Sequence, residues 1–163
     1  MAAESTSFTA PWRGGLMHND LWRYACERYA QPGVEAACMA VQAAGGNVCL
    51  ALCALWLEDR GVRWSLARAQ ALETTALPWA GTVIEPLRAL RQQWRSAARE
   101  DPDLARLRAR IKQLELEAEQ RLLMRLHTIA QAWPEGEATQ PEWLGWAVED
   151  AAIRAALRAA ASP

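Results

Sequence analysis

The chain has 163 residues, a formal net charge of −1 and a hydrophobic fraction of 52%, which suit one domain with a substantial core. The balanced charge gives no overall attraction to nucleic acid or to an anionic membrane, so an electrostatic function has to be local. Nine Trp and a large excess of Arg over Lys stand out. Function or a GC-rich coding sequence would explain this bias, and both explanations stay open here.

The first 17 residues are polar and non-periodic, and we expect them to form a loose N-terminal arm. They contain an early acid, Glu4, and no apolar core, so they do not resemble a secretory signal. No apolar run in the chain reaches the roughly 18 residues that a membrane span needs. We therefore predict a cytoplasmic protein with no membrane partner, whose four cysteines are free thiols in a reducing compartment.

Apolar residues at helical spacing predict a first helix over about 20–30 and a second over about 34–44. After these, residues 48–57 are all apolar, and Asn47 in front of them is a good helix cap. A fully apolar run of this length predicts a helix that is buried inside a soluble core. Because the connections between these helices are short, we expect antiparallel neighbours around the central helix.

The middle of the chain continues the helical pattern with one irregular region. Ser65 can cap a fourth helix over about 66–75. Proline and glycine between 78 and 86 interrupt the periodicity. Regular helix is expected to resume near Pro86, because proline fits a first helical turn, and to continue to about 99.

A long helix begins at the clearest start signal in the chain. Asp101 is a cap, Pro102 suits the first helical position, and Asp103 places an acid at the positive end of the helix dipole. The next breaker is Pro134, so we predict a helix over about 102–133, about 48 Å long. A compact chain of this size is only about 40 Å across. Part of this helix should therefore project or pair with another chain as a coiled coil.

The last predicted helix begins at a capping-box pattern formed by Thr139 and Glu142, and extends to about 161. Asp150 falls on the apolar stripe of this predicted helix. It is interpreted as a boundary residue or as half of an ion pair with an arginine, such as one near Arg88.

These elements predict an all-α fold. We expect a helical bundle around a buried central helix at about 48–60, together with the long amphipathic helix and the C-terminal helix. One domain is predicted over 18–163, with a core bundle at 18–99 and the two later helices at 102–161.

The long helix supports the leading functional hypothesis, a non-enzymatic interaction module that self-associates or binds a protein partner. Its apolar residues recur at intervals of three and four, which is typical of a helix seam. The predicted interface of a homo-oligomer comprises Leu104, Leu107, Ile111, Leu114, Leu122 and Leu126.

The tryptophans support a second hypothesis, a small-molecule-binding protein or enzyme with an indole-lined pocket in the bundle. The candidate ligand-binding residues are Trp22, Trp56 and Trp79. Core filling explains the same residues, because each indole can bury about 150–250 Å². No catalytic residue and no cofactor are predicted, since the sequence has no nucleotide-binding, nucleophile-elbow or di-iron motif.

Arg88, Arg91, Arg95 and Arg99 form a basic stripe at intervals of three, four and four residues. Such a stripe can bind an anion or an acidic partner helix, because each guanidinium presents a planar fork of donors. The other interpretation is a solvated face that pairs with acids such as Glu115, Glu117 and Glu119. Nucleic-acid binding is the weaker form of the hypothesis, because no aromatic residues interleave with the basic face.

The cysteines give the only metal candidate. Cys49 and Cys53 are four residues apart and so share one helix face, a spacing that metal ligands use. A free cysteine is also among the residues most often buried, and we interpret these two as core thiols. No metal site is predicted.

The run from residue 21 to residue 61 reads LWRYACERYAQPGVEAACMAVQAAGGNVCLALCALWLEDRG, and Trp79 and the Pro86-Leu87-Arg88 segment follow it. This pattern resembles an uncharacterised bacterial family of proteins of about 160 residues, over roughly residues 16–99. The resemblance implies family membership without an activity, and it assigns no role to any residue.

Overall fold

The structure, a computed structural model, describes residues 20–159, and no strand occurs within them. The all-α prediction is confirmed, whereas the predicted N-terminal arm at 1–17 lies outside the described residues. The eight α-helices of this part of the chain are α1 (Asp20–Tyr29), α2 (Val34–Ala43), α3 (Val48–Asp59), α4 (Leu66–Trp79), α5 (Glu85–Gln93), α6 (Pro102–Ala130), α7 (Trp143–Ala147) and α8 (Ala151–Ala159).

Helix α3 forms the centre of the fold, as its apolar sequence predicts. Every residue from 49 to 57 is buried, and α1, α2, α4, α6 and α7 pack around it. The predicted cap is present, because the Asn47 side chain accepts a hydrogen bond from the Leu50 N–H at 3.0 Å. Removal of this apolar surface from water is the main force that holds the bundle together.

The irregular region between α4 and α5 remains helical. Helix α4 continues to Trp79, past the predicted end at 75, and contains Pro78. One π-helical turn, Ala80–Ile84, then leads directly into α5. Proline interrupts the hydrogen-bond ladder of the preceding turn, and a π turn accommodates an extra residue within a continuous helix.

Helix α5 ends at Gln93, earlier than predicted, and a short 3₁₀ turn (Ala97–Arg99) leads toward α6. Helix α6 has 29 residues and is about 43 Å long. Asp101 caps it as predicted, and accepts hydrogen bonds from the N–H groups of Asp103 and Leu104 at 3.0 and 3.2 Å. Residues 102–114 contribute no buried side chain, so the first half of α6 lies outside the core.

The C-terminal segment differs from the prediction of one continuous helix. Glu142 precedes α7 without a side-chain capping bond, and Val148 is extended, which ends that helix after five residues. Asp150 then caps α8 by accepting hydrogen bonds from the N–H groups of Ala152 and Ile153 at 2.8 and 3.0 Å. The role of Asp150 is therefore that of a helix cap, because a carboxylate satisfies the free N–H groups of a first turn.

Glu58 fastens this C-terminal segment to the central helix. Its carboxylate accepts hydrogen bonds from the Leu144 N–H at 2.7 Å and from Arg158 at 2.8 and 3.0 Å. The indole of Trp143 donates to the carbonyl of Val62 at 2.8 Å. These contacts fix the beginning of α7 at the C-terminal end of α3. Among residues 20–159, no helix has both the length and the apolar character to cross a lipid bilayer.

Candidate functional site

A cluster of four charged side chains lies where α5 packs against α6. Arg91 donates to Glu115 at 2.6 Å, and Arg88 donates to Glu115 and to Glu119, each at 3.0 Å. The two arginines are three residues apart on α5, and the two acids are four residues apart on α6. Each pair therefore shares one helix face, and the two faces meet.

This cluster is buried. Glu115 has no exposed surface, and Arg91 and Glu119 are each 6% exposed. A buried ion pair contributes little to stability by itself, because the desolvation of both charges offsets their attraction. The four side chains nevertheless keep one arrangement, because a side chain that moved away would leave its partner as an uncompensated charge in the core.

Glu119 is incompletely paired. Its Oε1 accepts from Arg88, whereas its Oε2 is buried and has no hydrogen-bond partner. The pKa of Glu119 is raised from its ordinary 4.5 to about 7. Burial is the main cause and the neighbouring charge of Glu115 adds to it, while Arg88 and Arg91 oppose the shift. A carboxyl group that changes its charge near neutral pH is typical of functional sites.

Glu119 and Arg88 line a cavity of about 260 Å³, which we call the α3 cleft. The first turn of α3 forms one wall, and its cap Asn47 lies there. The end of α4, the π turn and α7 form the other walls. The side chains and backbone that line the cleft belong to Gly45, Gly46, Asn47, Val48, Cys49, Leu50, Glu73, Leu77, Ala80, Ile84, Glu85, Arg88, Glu119, Trp146 and Ala147.

A second cavity adjoins the α3 cleft, with which it shares Gly45, Gly46 and Ala147. Its volume is about 530 Å³, and its charged lining residues are Glu149 and Asp150. The two cavities together form a groove that passes the connection between α2 and α3. The π turn contributes Ala80 and Ile84 to this groove, and π turns within helices often occur at functional sites.

A family model described as "Protein of unknown function (DUF2390)" matches residues 20–126. The chain belongs to this family. The match includes the whole charged cluster and every wall of the α3 cleft except Trp146 and Ala147, which lie beyond it. It also extends past the region of roughly 16–99 over which the sequence resembles a known family. No curated protein matches the chain, and no solved structure matches it.

The three candidate tryptophans are not among the lining residues of the two cavities. Trp22 and Trp56 are buried, and the Trp56 ring lies 5.5 Å from that of His127. Trp79 donates its indole N–H to the carbonyl of Ala118 at 2.9 Å. Trp146 lines the α3 cleft instead, and its indole donates to Glu73 at 2.9 Å. None of Trp22, Trp56 and Trp79 lines either of the cavities described above.

The predicted arginine stripe is divided by the fold. Arg91 is buried and Arg88 is half-buried, and both bind acids of α6. Arg95 is half-buried, and Arg99 is exposed on the 3₁₀ turn. The stripe therefore does not present one continuous basic surface.

The apolar stripe of the long helix is also divided. Leu122 and Leu126 are completely buried in the core of the chain itself. The other four residues of the predicted interface lie on the first half of α6. Leu107 and Leu114 are 48% and 49% exposed, and Leu104 and Ile111 are partly exposed.

The described cysteines are free thiols, and three of them, Cys38, Cys49 and Cys53, are buried. Burial raises the pKa of each of these thiols, so all three are uncharged near neutral pH. Cys49 lines the α3 cleft, and its thiol lies 3.9 Å from the carbonyl oxygen of Glu119. Within residues 20–159, no three His, Cys, Asp or Glu side chains converge as metal ligands.

The sequence contains one signal for this site. Glu115 and Glu119 are spaced four apart and interrupt a stripe of buried residues that includes Leu116, Ala118 and Leu122. Two acids at that spacing in an apolar region match two arginines three apart on a neighbouring helix. The cleft itself leaves no such signal, because its walls come from segments up to about a hundred residues apart.

Proposed function

We propose that this protein binds a small molecule in the α3 cleft. One observation carries the proposal: Glu119, a buried acid that lines the cleft, has a carboxylate oxygen with no partner. An unsatisfied buried acceptor costs about 1–3 kcal/mol and calls for an explanation, and a bound ligand is the explanation that the position of Glu119 in the cleft favours. A ligand that donates a hydrogen bond to Oε2 would complete the coordination of Glu119.

The surroundings of Glu119 support binding. Arg88 and Arg91 hold Glu115 and one oxygen of Glu119 in place, so the free oxygen keeps a defined position without a ligand. Apolar side chains, among them Leu50 and Ile84, line the same cleft. The cleft therefore combines apolar side chains with a few polar groups that its own hydrogen bonds hold in place, and such polar groups fix the orientation of a ligand in small-molecule sites.

The test compares the wild-type chain with two phenylalanine variants. Ala147→Phe adds a ring at a half-buried position that lines both cavities, and Ala89→Phe adds the same ring at an exposed position of α5. Each purified protein is denatured, and the released small molecules are identified by mass spectrometry. We expect a molecule in stoichiometric amount from the wild type and from Ala89→Phe, and its loss from Ala147→Phe.

Circular dichroism and thermal unfolding establish that both variants are folded. An identical profile of released molecules from all three proteins would contradict the proposal, because the molecules would then not depend on the cleft.

A second candidate function, protein docking on the first half of α6, is favoured by the exposed leucines Leu107 and Leu114. They lie two turns apart on one side of the helix, with the partly exposed Ile111 between them, and exposed apolar surface of this kind can mark an interaction site. Between residues 104 and 114 the charged residues are all basic: Arg106, Arg108, Arg110 and Lys112. Two copies of the chain would bring these like charges together, so an acidic partner helix suits the surface better than a second copy.

Substitution of the surface tests docking without damage to the core. A truncation after Arg99 would also remove Leu122 and Leu126 from the core, so the double variant Leu107→Glu/Leu114→Glu is preferable. Sedimentation velocity at low and high salt measures self-association. A wild-type monomer that binds an acidic amphipathic peptide, with binding lost in the double variant, supports docking. A wild-type oligomer that the double variant leaves intact contradicts a role for this surface.

A further inference from the structure

We infer that the ligand of the α3 cleft is a small primary amine, whose ammonium group binds the free oxygen of Glu119. This inference rests on the proposed function and specifies its ligand. An ammonium group offers three donors and one positive charge, and so satisfies an acceptor that is also an acid.

The charge of the groove favours a cation. The α3 cleft contains three acids, Glu73, Glu85 and Glu119, and one base, Arg88. The adjoining cavity adds Glu149 and Asp150. Arg88 is already bonded to Glu115 and Glu119 through its Nε and Nη2 atoms. Arg154 lies close to the second cavity, where it donates to the carbonyl of Val148 at 2.7 Å.

One feature of the cleft favours the opposite charge. The first turn of α3 forms a wall, and a helix N-terminus has the effect of about half a positive charge. The Leu50 N–H of this turn already donates a hydrogen bond to the side chain of Asn47. Four acids besides Glu119 line the two cavities, namely Glu73, Glu85, Glu149 and Asp150, and together they outweigh this partial charge, so a cation is preferred. A carboxylate ligand is the competing outcome that the experiment has to distinguish.

The apolar walls define the rest of the ligand. Leu50, Leu77, Ile84 and Trp146 line the cleft, and they suit a short alkyl chain next to the ammonium group. The cleft has a volume of about 260 Å³, somewhat below the roughly 300–1,000 Å³ of pockets for drug-sized ligands. The ligand is therefore small.

Binding should depend on pH through Glu119. The charged or titratable groups near this carboxyl come from six helices: Tyr29 from α1, Cys38 with nearby Glu35 from α2, Cys49 from α3, Glu73 from α4, Glu85, Arg88 and Arg91 from α5, and Glu115 from α6. Burial raises the pKa of the tyrosine and of both thiols, so these three are neutral near pH 7. A bound cation favours the ionised carboxylate and lowers the pKa of Glu119.

Three probes with the same alkyl chain separate charge from shape: n-butylamine, n-butanol and n-butyrate. The full chain is labelled with ¹³C at the glutamate carboxyl carbons, and Glu119→Gln identifies the Glu119 signal in the spectrum. Buffers must contain no amine, because an amine buffer would compete with the probe. The Glu119 midpoint, about 7 without ligand, is expected to fall with n-butylamine and to stay unchanged with n-butanol.

We expect n-butylamine to bind about tenfold or more tightly than n-butanol, because a charged hydrogen bond is stronger than a neutral one. Glu119→Gln should abolish this preference. Glu117→Gln is the matched control, since it removes the same charge from the same helix at a position outside the cleft lining. It should leave the preference unchanged.

The outcomes separate the ligand class from the existence of the site. If n-butanol or n-butyrate binds as tightly as n-butylamine and Ala147→Phe prevents that binding, the inference of an amine ligand is wrong, whereas the proposal of a binding site in the cleft is supported. If no probe binds the wild type and no molecule is released from the purified protein, both the amine and the site are wrong.

Discussion

The two halves of α6 follow one sequence pattern and have different environments. Residues 102–114 contribute no buried side chain, whereas residues 115–130 contribute eight, including Glu115 and Glu119. Apolar residues recur at intervals of three and four through both halves. The comparison shows that periodicity identifies the face of a helix that is apolar, but not the part of it that the rest of the chain covers.

A leucine on each half gives the largest expected contrast. Leu126→Ala should lower the free energy of unfolding by about 3–5 kcal/mol, because it leaves a cavity in the core. Leu107→Ala should change it by less than about 1 kcal/mol, since that side chain is half exposed. Urea unfolding measures both. Equal losses would show that the first half of α6 is covered after all, for example by another chain.

A buried and an exposed arginine give the next contrast in stability. Arg91→Ala should destabilise the fold by about 3 kcal/mol, because it deprives the fully buried Glu115 of one of its two partners. Arg110→Ala, on the exposed first half of α6, should change the stability by less than about 0.5 kcal/mol. The same unfolding assay applies, and a loss below about 1 kcal/mol for Arg91→Ala would show that water reaches Glu115.

Glu119 gives a contrast that depends on pH. Its pKa is higher in the folded chain, about 7 against an ordinary 4.5, so its contribution to stability is present below 4.5 and is lost as the pH rises through 7. Glu119→Gln cannot ionise. It should therefore be more stable than the wild type by about 3 kcal/mol at about pH 8, and nearly equal to it at about pH 4.

Urea unfolding of the wild type, of Glu119→Gln and of the control Glu117→Gln across this pH range tests whether the stability difference grows as the pH rises. A difference between Glu119→Gln and the wild type that does not change with pH would exclude ionisation of Glu119 in the folded state.

The smallest contrast concerns the start of α6. Asp101→Ala removes the cap, which should cost about 1 kcal/mol. Because the first half of α6 has no buried side chain, the loss should appear there as faster amide hydrogen exchange, while exchange in residues 115–130 stays unchanged. Uniformly faster exchange along α6 would indicate that the two halves unfold together.

Most helices could be predicted from the sequence because their signals are local. Asn47, Ser65 and Asp101 cap the helices that they were expected to cap, and the apolar run at 48–57 lies in the core. The break after α7 is not predicted, because Trp143, Trp146, Asp150, Ile153 and Leu157 keep helical spacing across it, although Asp150 caps a separate helix.

The candidate site cannot be predicted from sequence patterns, because it is formed by tertiary contacts. Arg88 and Arg91 could be seen as a stripe, but their burial depends on the packing of α5 against α6. The free oxygen of Glu119 depends on a geometry that no spacing specifies, and Trp146 joins the cleft through a hydrogen bond to Glu73, 73 residues away in the chain. Tertiary contacts of this kind join residues that are distant in the chain.

The π turn sets the rotational phase of α5. Each residue of a helix advances it by about 100°, so one residue more or fewer between Ala80 and Ile84 turns every later side chain of α5 by about that angle. With the turn present, Arg88 and Arg91 face Glu115. Deletion of Gly81, which is exposed and has no atom near its missing Cβ, would rotate both arginines away from the acids and leave two neighbouring carboxylates of α6 without partners in the core.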